Sequence, residues 1–120
     1  MKIFKRDGKI NFVDKNNIML GYDLNQDCCE YADWFIADTP QNTKQDCLDD
    51  NPDLEEWTFD TKFFRQIENA QDFEEGGMAI FRIINGKSEK FIHIFNCHNG
   101  YYGHGFQFGI GDRLIKDGGL

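Results

Sequence analysis

Apolar and polar residues alternate in short runs along most of this chain, and dipeptides that favour turns separate the runs. Alternation with a period of two is typical of strands that bury one face. Residues 3–5 and 10–12 flank Asp7-Gly8, which suits a type I′ turn because both residue types tolerate positive φ. The pattern predicts a hairpin here, then a second turn at 14–17 and a strand over 18–24.

The clearest hairpin signal lies further along the chain. Residues 78–84 and 87–96 are rich in β-branched and aromatic side chains, and they flank Asn85-Gly86. A two-residue turn at Asn85-Gly86 would place Arg82 opposite Glu89, and an opposite-charge pair across two strands supports that register. A further turn at residues 99–100 would extend this hairpin into a three-stranded meander over 78–108.

The meander has a consequence for the reactive side chains. Its register places Cys97 opposite Tyr102 and Phe95 opposite His104. His93, Cys97 and His104 would then be neighbours on one aromatic face, with diagonal Cα spacings of about 7–8 Å. On the other face of the last strand, glycines at 103, 105, 109 and 111 leave little side chain, which is typical of close approach by another backbone.

The remaining segments complete the fold prediction. Residues 31–37 and 57–64 have strand-like composition, residues 43–56 favour a short helix or loop, and residues 66–75 favour a polar helix or loop. We therefore predict one domain over residues 1–120 that is mainly β. It would be a single antiparallel sheet curling towards a barrel or sandwich, with one short helix near 43–56. An α+β arrangement, with a helix on one sheet face, is the alternative.

Charge is concentrated in one segment. The chain of 120 residues has a formal net charge of −8, and residues 46–75 hold 11 of its 21 acidic residues against two basic ones, which gives that segment −9. Direct nucleic-acid binding is disfavoured, because it depends on a basic surface. An acidic face could instead contact a basic protein partner or imitate a phosphate backbone, although such a segment is more often a solvated, solubilising face. The candidate contact residues are Asp49, Asp50, Glu55 and Glu56.

Composition also indicates the compartment. No apolar run approaches bilayer-spanning length, and the first residues lack the long apolar segment of a signal peptide. We expect a cytoplasmic protein that is not held in a membrane. Its four cysteines are then expected to be thiols rather than disulfides.

Cysteine and histidine suggest two kinds of chemistry. Thiolate and imidazole groups suit zinc, and the candidate ligands are Cys28, Cys29, His93, Cys97 and His104. Adjacent cysteines in a strand point to opposite faces, so only one of Cys28 and Cys29 could join such a site. No Cys-x-x-Cys pair is present, and the sequence favours His93 and Cys97 as core residues with satisfied hydrogen bonds.

The other chemistry is thiol catalysis. Cys28 or Cys29 beside a histidine, oriented by Asp27 or Glu30, would supply the parts of a thiol-dependent hydrolase. The flanking acids oppose it, because they raise a thiol pKa. With no reaction motif in the chain, the sequence assigns no catalytic residue and no cofactor. It favours a non-catalytic binding or adaptor protein over the zinc-binding and hydrolase alternatives.

Two motifs carry a resemblance. Residues 26–30 read Gln-Asp-Cys-Cys-Glu, and residues 96–106 read Asn-Cys-His-Asn-Gly-Tyr-Tyr-Gly-His-Gly-Phe. Together they resemble a family of small uncharacterised proteins of bacteriophages, prophages and bacteria, described as a domain of unknown function. The resemblance covers roughly residues 18–110. It implies a phage or bacterial setting, and it implies no activity and no catalytic residue.

Overall fold

A computed structural model describes residues 1–25, 30–42, 52–68, 75–98 and 104–120. Within these ranges the chain forms β-strands joined by turns, and no helix occurs in them. The prediction of a mainly β protein is confirmed. The strands are β1 (Lys2–Arg6), β2 (Lys9–Val13), β3 (Ile18–Asp23), β4 (Glu30–Ala37), β5 (Thr58–Phe59), β6 (Arg65–Glu68), β7 (Glu75–Asn85), β8 (Ser88–His98), β9 (Gly105–Ile110) and β10 (Arg113–Gly119).

The strands divide into two antiparallel sheets rather than one. The first sheet has the order β1-β2-β3-β9-β10, and the second has the order β4-β8-β7-β5, with β6 also pairing with β7. The inner faces of both sheets bury a shared core, in which Phe12 meets Trp34 with ring centroids 5.1 Å apart and Phe81 meets Phe108 at 4.9 Å. Sheets that interdigitate aromatic side chains in this way form a sandwich.

The predicted N-terminal hairpin is confirmed. Arg6 pairs with Lys9, and the two residues between them, Asp7 and Gly8, have φ of 53° and 78°. Positive φ at both central positions is the requirement of a type I′ turn. The turn at 14–17 also forms: Asn17 has φ 61°, and its N–H donates to the Asp14 carbonyl oxygen at 3.1 Å.

The β7–β8 hairpin forms in a different register from the one predicted. Asn85 pairs with Ser88, so the turn residues are Gly86 and Lys87 rather than Asn85 and Gly86. Gly86 has φ 62°, the first central position at which a type II′ turn needs glycine. The residue directly opposite Arg82 is therefore Phe91, and Glu89 lies diagonally on the same face, where its Oε2 accepts from Arg82 Nε at 2.7 Å.

The predicted meander over 78–108 is wrong. β8 is flanked by β4 and β7, whereas β9 pairs with β3 and β10 in the other sheet. Cys97 accordingly lies opposite Tyr31 and Gly76, and no described residue of β9 pairs with β8. In the predicted register Phe106 would lie opposite His93 on the outer face, whereas Phe106 and Phe108 of β9 are buried between the two sheets.

A second, smaller apolar cluster lies on the outer face of the second sheet. Residues of β8 alternate, so Ile92 and Ile94 join the inner core while Phe91 and Phe95 face outward. The outer cluster also contains Phe35, Met78 and Ile80, and Cys97 packs at its margin. The predicted face of Phe91, His93, Phe95 and Cys97 is thus confirmed for β8 alone.

The predicted helix near 43–56 falls largely outside the described residues, which resume at Pro52. In residues 52–56 there is no helix, and a turn runs from Leu54 to Trp57 instead. The strand expected over 57–64 is restricted to Thr58–Phe59, and Arg65–Glu68 is a strand where a polar helix or loop was expected.

The glycines in and after β9 differ in how far the structure requires glycine at each position. A Cβ on Gly109 would run into the carbonyl oxygen of Arg113, where β10 shifts register beside it. Close backbone approach, predicted for the glycine series, therefore holds at this position. Gly111 has φ 59° in the turn between β9 and β10, whereas a Cβ on Gly105 would meet only ordinary contacts.

Candidate functional site

His93 lies at the centre of the outer apolar cluster and is fully buried. The N–H of Gln41 donates to its Nε2 at 2.9 Å, and its Nδ1 lies 3.1 Å from the Phe91 carbonyl oxygen. Because Nε2 accepts a hydrogen bond, Nδ1 carries the ring proton and donates to the Phe91 carbonyl oxygen. The ring stacks on Phe35 with centroids 4.2 Å apart.

Burial sets the charge of this histidine. Loss of hydration lowers the pKa of His93 to about 4, and the backbone carbonyl groups of Phe91 and Phe35 oppose that shift only in part. At neutral pH the ring is uncharged and both of its nitrogens have partners. His93 is therefore a core residue with satisfied hydrogen bonds, as the sequence favoured.

Cys97 shares the face of β8 that carries His93, but the two residues are four positions apart. At the rise of an extended strand this separation is about 13 Å between Cα atoms. Phe95 stands between them on the same face and is fully buried. Cys97 is half-buried, and Cys28 and Cys29 lie outside the described residues.

His104 belongs to the other sheet, immediately before β9. Its Nδ1 lies 2.6 Å from the carbonyl oxygen of Asp23, and its backbone exchanges two hydrogen bonds with Leu120, at 2.9 and 2.8 Å. Nearby, the hydroxyl group of Tyr22 donates to the Phe95 carbonyl oxygen in the second sheet at 2.7 Å. His104 thus takes part in a hydrogen-bonded seam at the end of the first sheet.

The predicted metal ligands are therefore distributed over two sheets. His93 and Cys97 are separated along one strand, and His104 immediately precedes β9 of the other sheet. Among the residues that the structure describes, no group of three His, Cys, Asp or Glu side chains has the arrangement of a metal site. The sequence reasoning missed this separation because it assumed that β9 lay beside β8.

The acidic segment presents a defined turn. The N–H of Trp57 donates to the Leu54 carbonyl oxygen at 3.0 Å, which leaves Glu55 and Glu56 at the two central positions. Leu54 is buried in the main core, whereas both glutamates are exposed. Glu56 has one weak ionic contact, 3.9 Å from Lys15 Nζ. Asp49 and Asp50 lie outside the described residues.

Not every acid in the segment is available to a partner. The carboxylate of Asp60 accepts from Arg82 Nη1 at 2.8 Å and from the N–H of Lys62 at 3.0 Å. The Lys62 N–H, aided by Arg82, lowers the pKa of Asp60, and Glu89 together with Asp60 raises the pKa of Arg82. Asp60 is thus part of an internal ion-pair group, in contrast to Glu55 and Glu56.

A shallow groove of about 590 Å³ borders the acidic turn. One wall comes from the first sheet and includes Lys2 and Lys15, and the other includes Asp53 and Glu55. Opposite charges therefore face each other across the groove. The buried Asp14 at its floor has both carboxylate oxygens engaged by backbone N–H groups of Asn16, Ile18 and Phe59.

The structure also exposes a basic surface that the sequence reasoning missed. Lys2, Lys5 and Arg6 lie in β1, and Lys9 begins β2. All four side chains are exposed, and none is in an ion pair with another described residue. The signal was available, since residues 1–13 contain these four bases and one acid, but the overall net charge of −8 concealed it.

Comparison with family models, with curated proteins and with solved structures gave no match for this chain. Within the described ranges, no helix has the length and apolarity to cross a membrane.

Proposed function

We propose that this protein is a non-catalytic binding or adaptor module of phage or bacterial cytosol. It would use its acidic segment, residues 46–75, to contact a basic surface on a partner protein. The observation that carries this proposal is the turn at Leu54–Trp57, which holds Glu55 and Glu56 exposed while Leu54 is buried. The phage or bacterial setting rests on the two motifs at 26–30 and 96–106.

The turn has the properties of a preorganised contact. Its backbone is held by a hydrogen bond and by the buried Leu54. Binding of a partner would therefore cost little conformational entropy in the turn. The two glutamates have a single ionic contact of 3.9 Å among the described residues, so their charges are directed mainly to solvent. Such charges steer association with an oppositely charged partner.

The chemical alternatives have less support. A zinc site or a thiol nucleophile would need Cys28 or Cys29 beside a histidine. Both nitrogens of His93 already have hydrogen-bond partners, and the Nδ1 of His104 lies 2.6 Å from the Asp23 carbonyl oxygen. Recruiting the His93 ring would break an existing hydrogen bond in a buried region, and His104 belongs to the other sheet from His93 and Cys97.

Paired capture experiments test the proposal. The E55Q/E56Q variant removes two negative charges from the acidic turn. The D112N/D117N variant is the control, because it removes two negative charges from exposed positions elsewhere. We expect immobilised wild-type protein to capture a basic protein from bacterial lysate, and E55Q/E56Q to lose most of that protein. D112N/D117N should retain it.

Two results would contradict the proposal. Equal loss in both variants would mean that net charge, rather than the acidic turn, holds the captured protein. Unchanged capture by E55Q/E56Q would show that Glu55 and Glu56 are solvated surface residues that do not contact the partner.

A further inference from the structure

β1 is an edge strand of the first sheet as far as the described residues go. It pairs with β2 alone among the described strands, and four of its five residues are exposed. Edge strands present unpaired N–H and C=O groups that can accept another strand. We propose that β1 is a docking edge for an extended acidic peptide of a partner, which adds to the sheet as a sixth strand.

The hairpin register identifies the backbone groups involved. Arg6 and Lys9 close a two-residue type I′ turn, so this pair exchanges both of its hydrogen bonds. Because bonded and non-bonded pairs alternate, Lys2, Phe4 and Arg6 bond to β2. The N–H and C=O groups of Ile3 and Lys5 therefore point away from β2, towards the open edge.

The side chains of β1 indicate the chemistry of the peptide. Lys2, Phe4 and Arg6 share the outer face by strand alternation, and Arg6 Cζ lies 5.6 Å from the Phe4 ring centroid. Ile3 packs against the core on the other face, beside the exposed Lys5. A complementary strand places acidic residues opposite Lys2, Lys5 and Arg6, and an apolar residue opposite Phe4.

Edge lysines also serve to prevent unwanted strand pairing. Phe4 distinguishes this edge from a purely protective one, because it is 37% exposed at the middle of the strand. A docking strand can use such an apolar side chain in a cross-strand pair with its partner, which a protective strand does not need. Nucleic acid is less suited to this surface, since the whole chain carries −8 and the unpaired backbone groups match a strand rather than phosphate.

The probe is a fluorescent capped peptide with the sequence Glu-Glu-Leu-Val-Glu, which runs antiparallel to β1 and meets Arg6, Lys5, Phe4, Ile3 and Lys2 in that order. Its matched control has N-methyl groups on the valine and on the second glutamate, opposite Ile3 and Lys5. These groups remove backbone donors and keep every charge and side chain. We expect anisotropy titrations to show at least about tenfold weaker binding of the N-methylated peptide.

Two protein variants test the same backbone hydrogen bonds by changing β1 instead of the peptide. Lys5→Gln removes the charge and keeps the outward N–H, whereas Lys5→Pro removes both, and proline is tolerated where an edge N–H faces solvent. We expect Lys5→Pro to bind the unmodified peptide about tenfold more weakly than Lys5→Gln. Thermal unfolding of both variants verifies the fold, and the N-methylated peptide tests the proposal even if Lys5→Pro does not fold.

Several outcomes would overturn the proposal. Equal affinity for the two peptides would show that charge alone attracts them. Tight binding of a single-stranded oligonucleotide, unaffected by Lys5→Pro, would assign the surface to phosphate. A dimer in sedimentation velocity that Lys5→Pro dissociates would show that a second copy occupies the edge. The E55Q/E56Q variant should bind the peptide at least as well as wild type, so failure here is separate from failure of the proposed function.

Discussion

The carboxylate of Asp14 accepts a hydrogen bond from the backbone N–H of Phe59 at 2.8 Å, and this contact joins the two sheets of the sandwich. Asp14 lies in the turn between β2 and β3, whereas Phe59 lies in β5 of the second sheet. The other carboxylate oxygen accepts from Asn16 and Ile18, each at 2.9 Å. One carboxylate that is 5% exposed thus holds both a turn and the contact between sheets.

Replacement of Asp14 should therefore destabilise the whole domain. We expect Asp14→Asn to lower the free energy of unfolding by about 1–3 kcal/mol, because an amide offers one acceptor oxygen where three N–H groups need two. Asp14→Ala should cost more, since all three donors lose their partner. Urea unfolding followed by tryptophan fluorescence measures the change.

Asp53→Asn is the matched control for Asp14→Asn. Asp53 is exposed, and its carboxylate accepts one N–H, from Glu55 at 3.4 Å. We expect its unfolding free energy to stay within about 0.5 kcal/mol of wild type. Equal effects of the two substitutions would show that the link between Asp14 and Phe59 contributes nothing.

The pKa of His93 predicts how stability changes with acid. Burial lowers this pKa to about 4 in the folded protein, against 6.5 for the exposed side chain. Below pH 6.5 the unfolded chain binds a proton that the folded protein excludes, so stability falls as the pH drops from 6.5 to about 4. The loss contributed by this residue is about 3 kcal/mol over that interval.

His93→Gln should remove this part of the acid response. Glutamine does not titrate, so the unfolding free energy of the variant should change less between pH 6.5 and 4 than that of wild type, despite a lower starting value. Chemical unfolding at several pH values measures both slopes. Parallel slopes would mean that His93 is not the group responsible.

The two outer-face glycines of β9 should respond differently to an added methyl group. A Cβ at Gly109 would collide with the backbone of Arg113, so we expect Gly109→Ala to cost about 2 kcal/mol. At Gly105 the nearest atom to a Cβ is 3.8 Å away, so Gly105→Ala should be close to neutral. Thermal unfolding of the pair measures the difference, and a costly Gly105→Ala would indicate that something covers this face.

Metal removal should leave the fold unchanged. His93 and Cys97 lie in the second sheet and His104 at the end of the first, and none forms a metal-site cluster with other described residues. We expect the melting temperature to be the same before and after dialysis against a chelator, with elemental analysis showing no stoichiometric zinc. A fall in melting temperature that added zinc reverses would support the zinc hypothesis with Cys28 or Cys29 as a ligand.

Local sequence determined much of this protein. Asp7-Gly8 encodes its own turn, because few residue types tolerate positive φ at both positions. Alternation put Phe91 and Phe95 of β8 on one face of the sheet and Ile92 and Ile94 on the other. The hairpin pattern also predicted contact between Arg82 and Glu89, which forms although the turn lies one residue further along the chain. The acidic segment was likewise visible in composition alone.

Tertiary structure alone decided which strand β9 pairs with. It thereby decided whether His93, Cys97 and His104 lie on one face, as predicted. A turn signal describes a few consecutive residues, whereas the choice between β8 and β3 depends on where Phe106 and Phe108 can be buried. That choice put His104 at the end of the first sheet, whereas His93 and Cys97 lie in the second. The order of the first sheet also leaves β1 at an edge, beside no described strand but β2. Sheet order is a property of the shared core, because every strand competes for the same buried space.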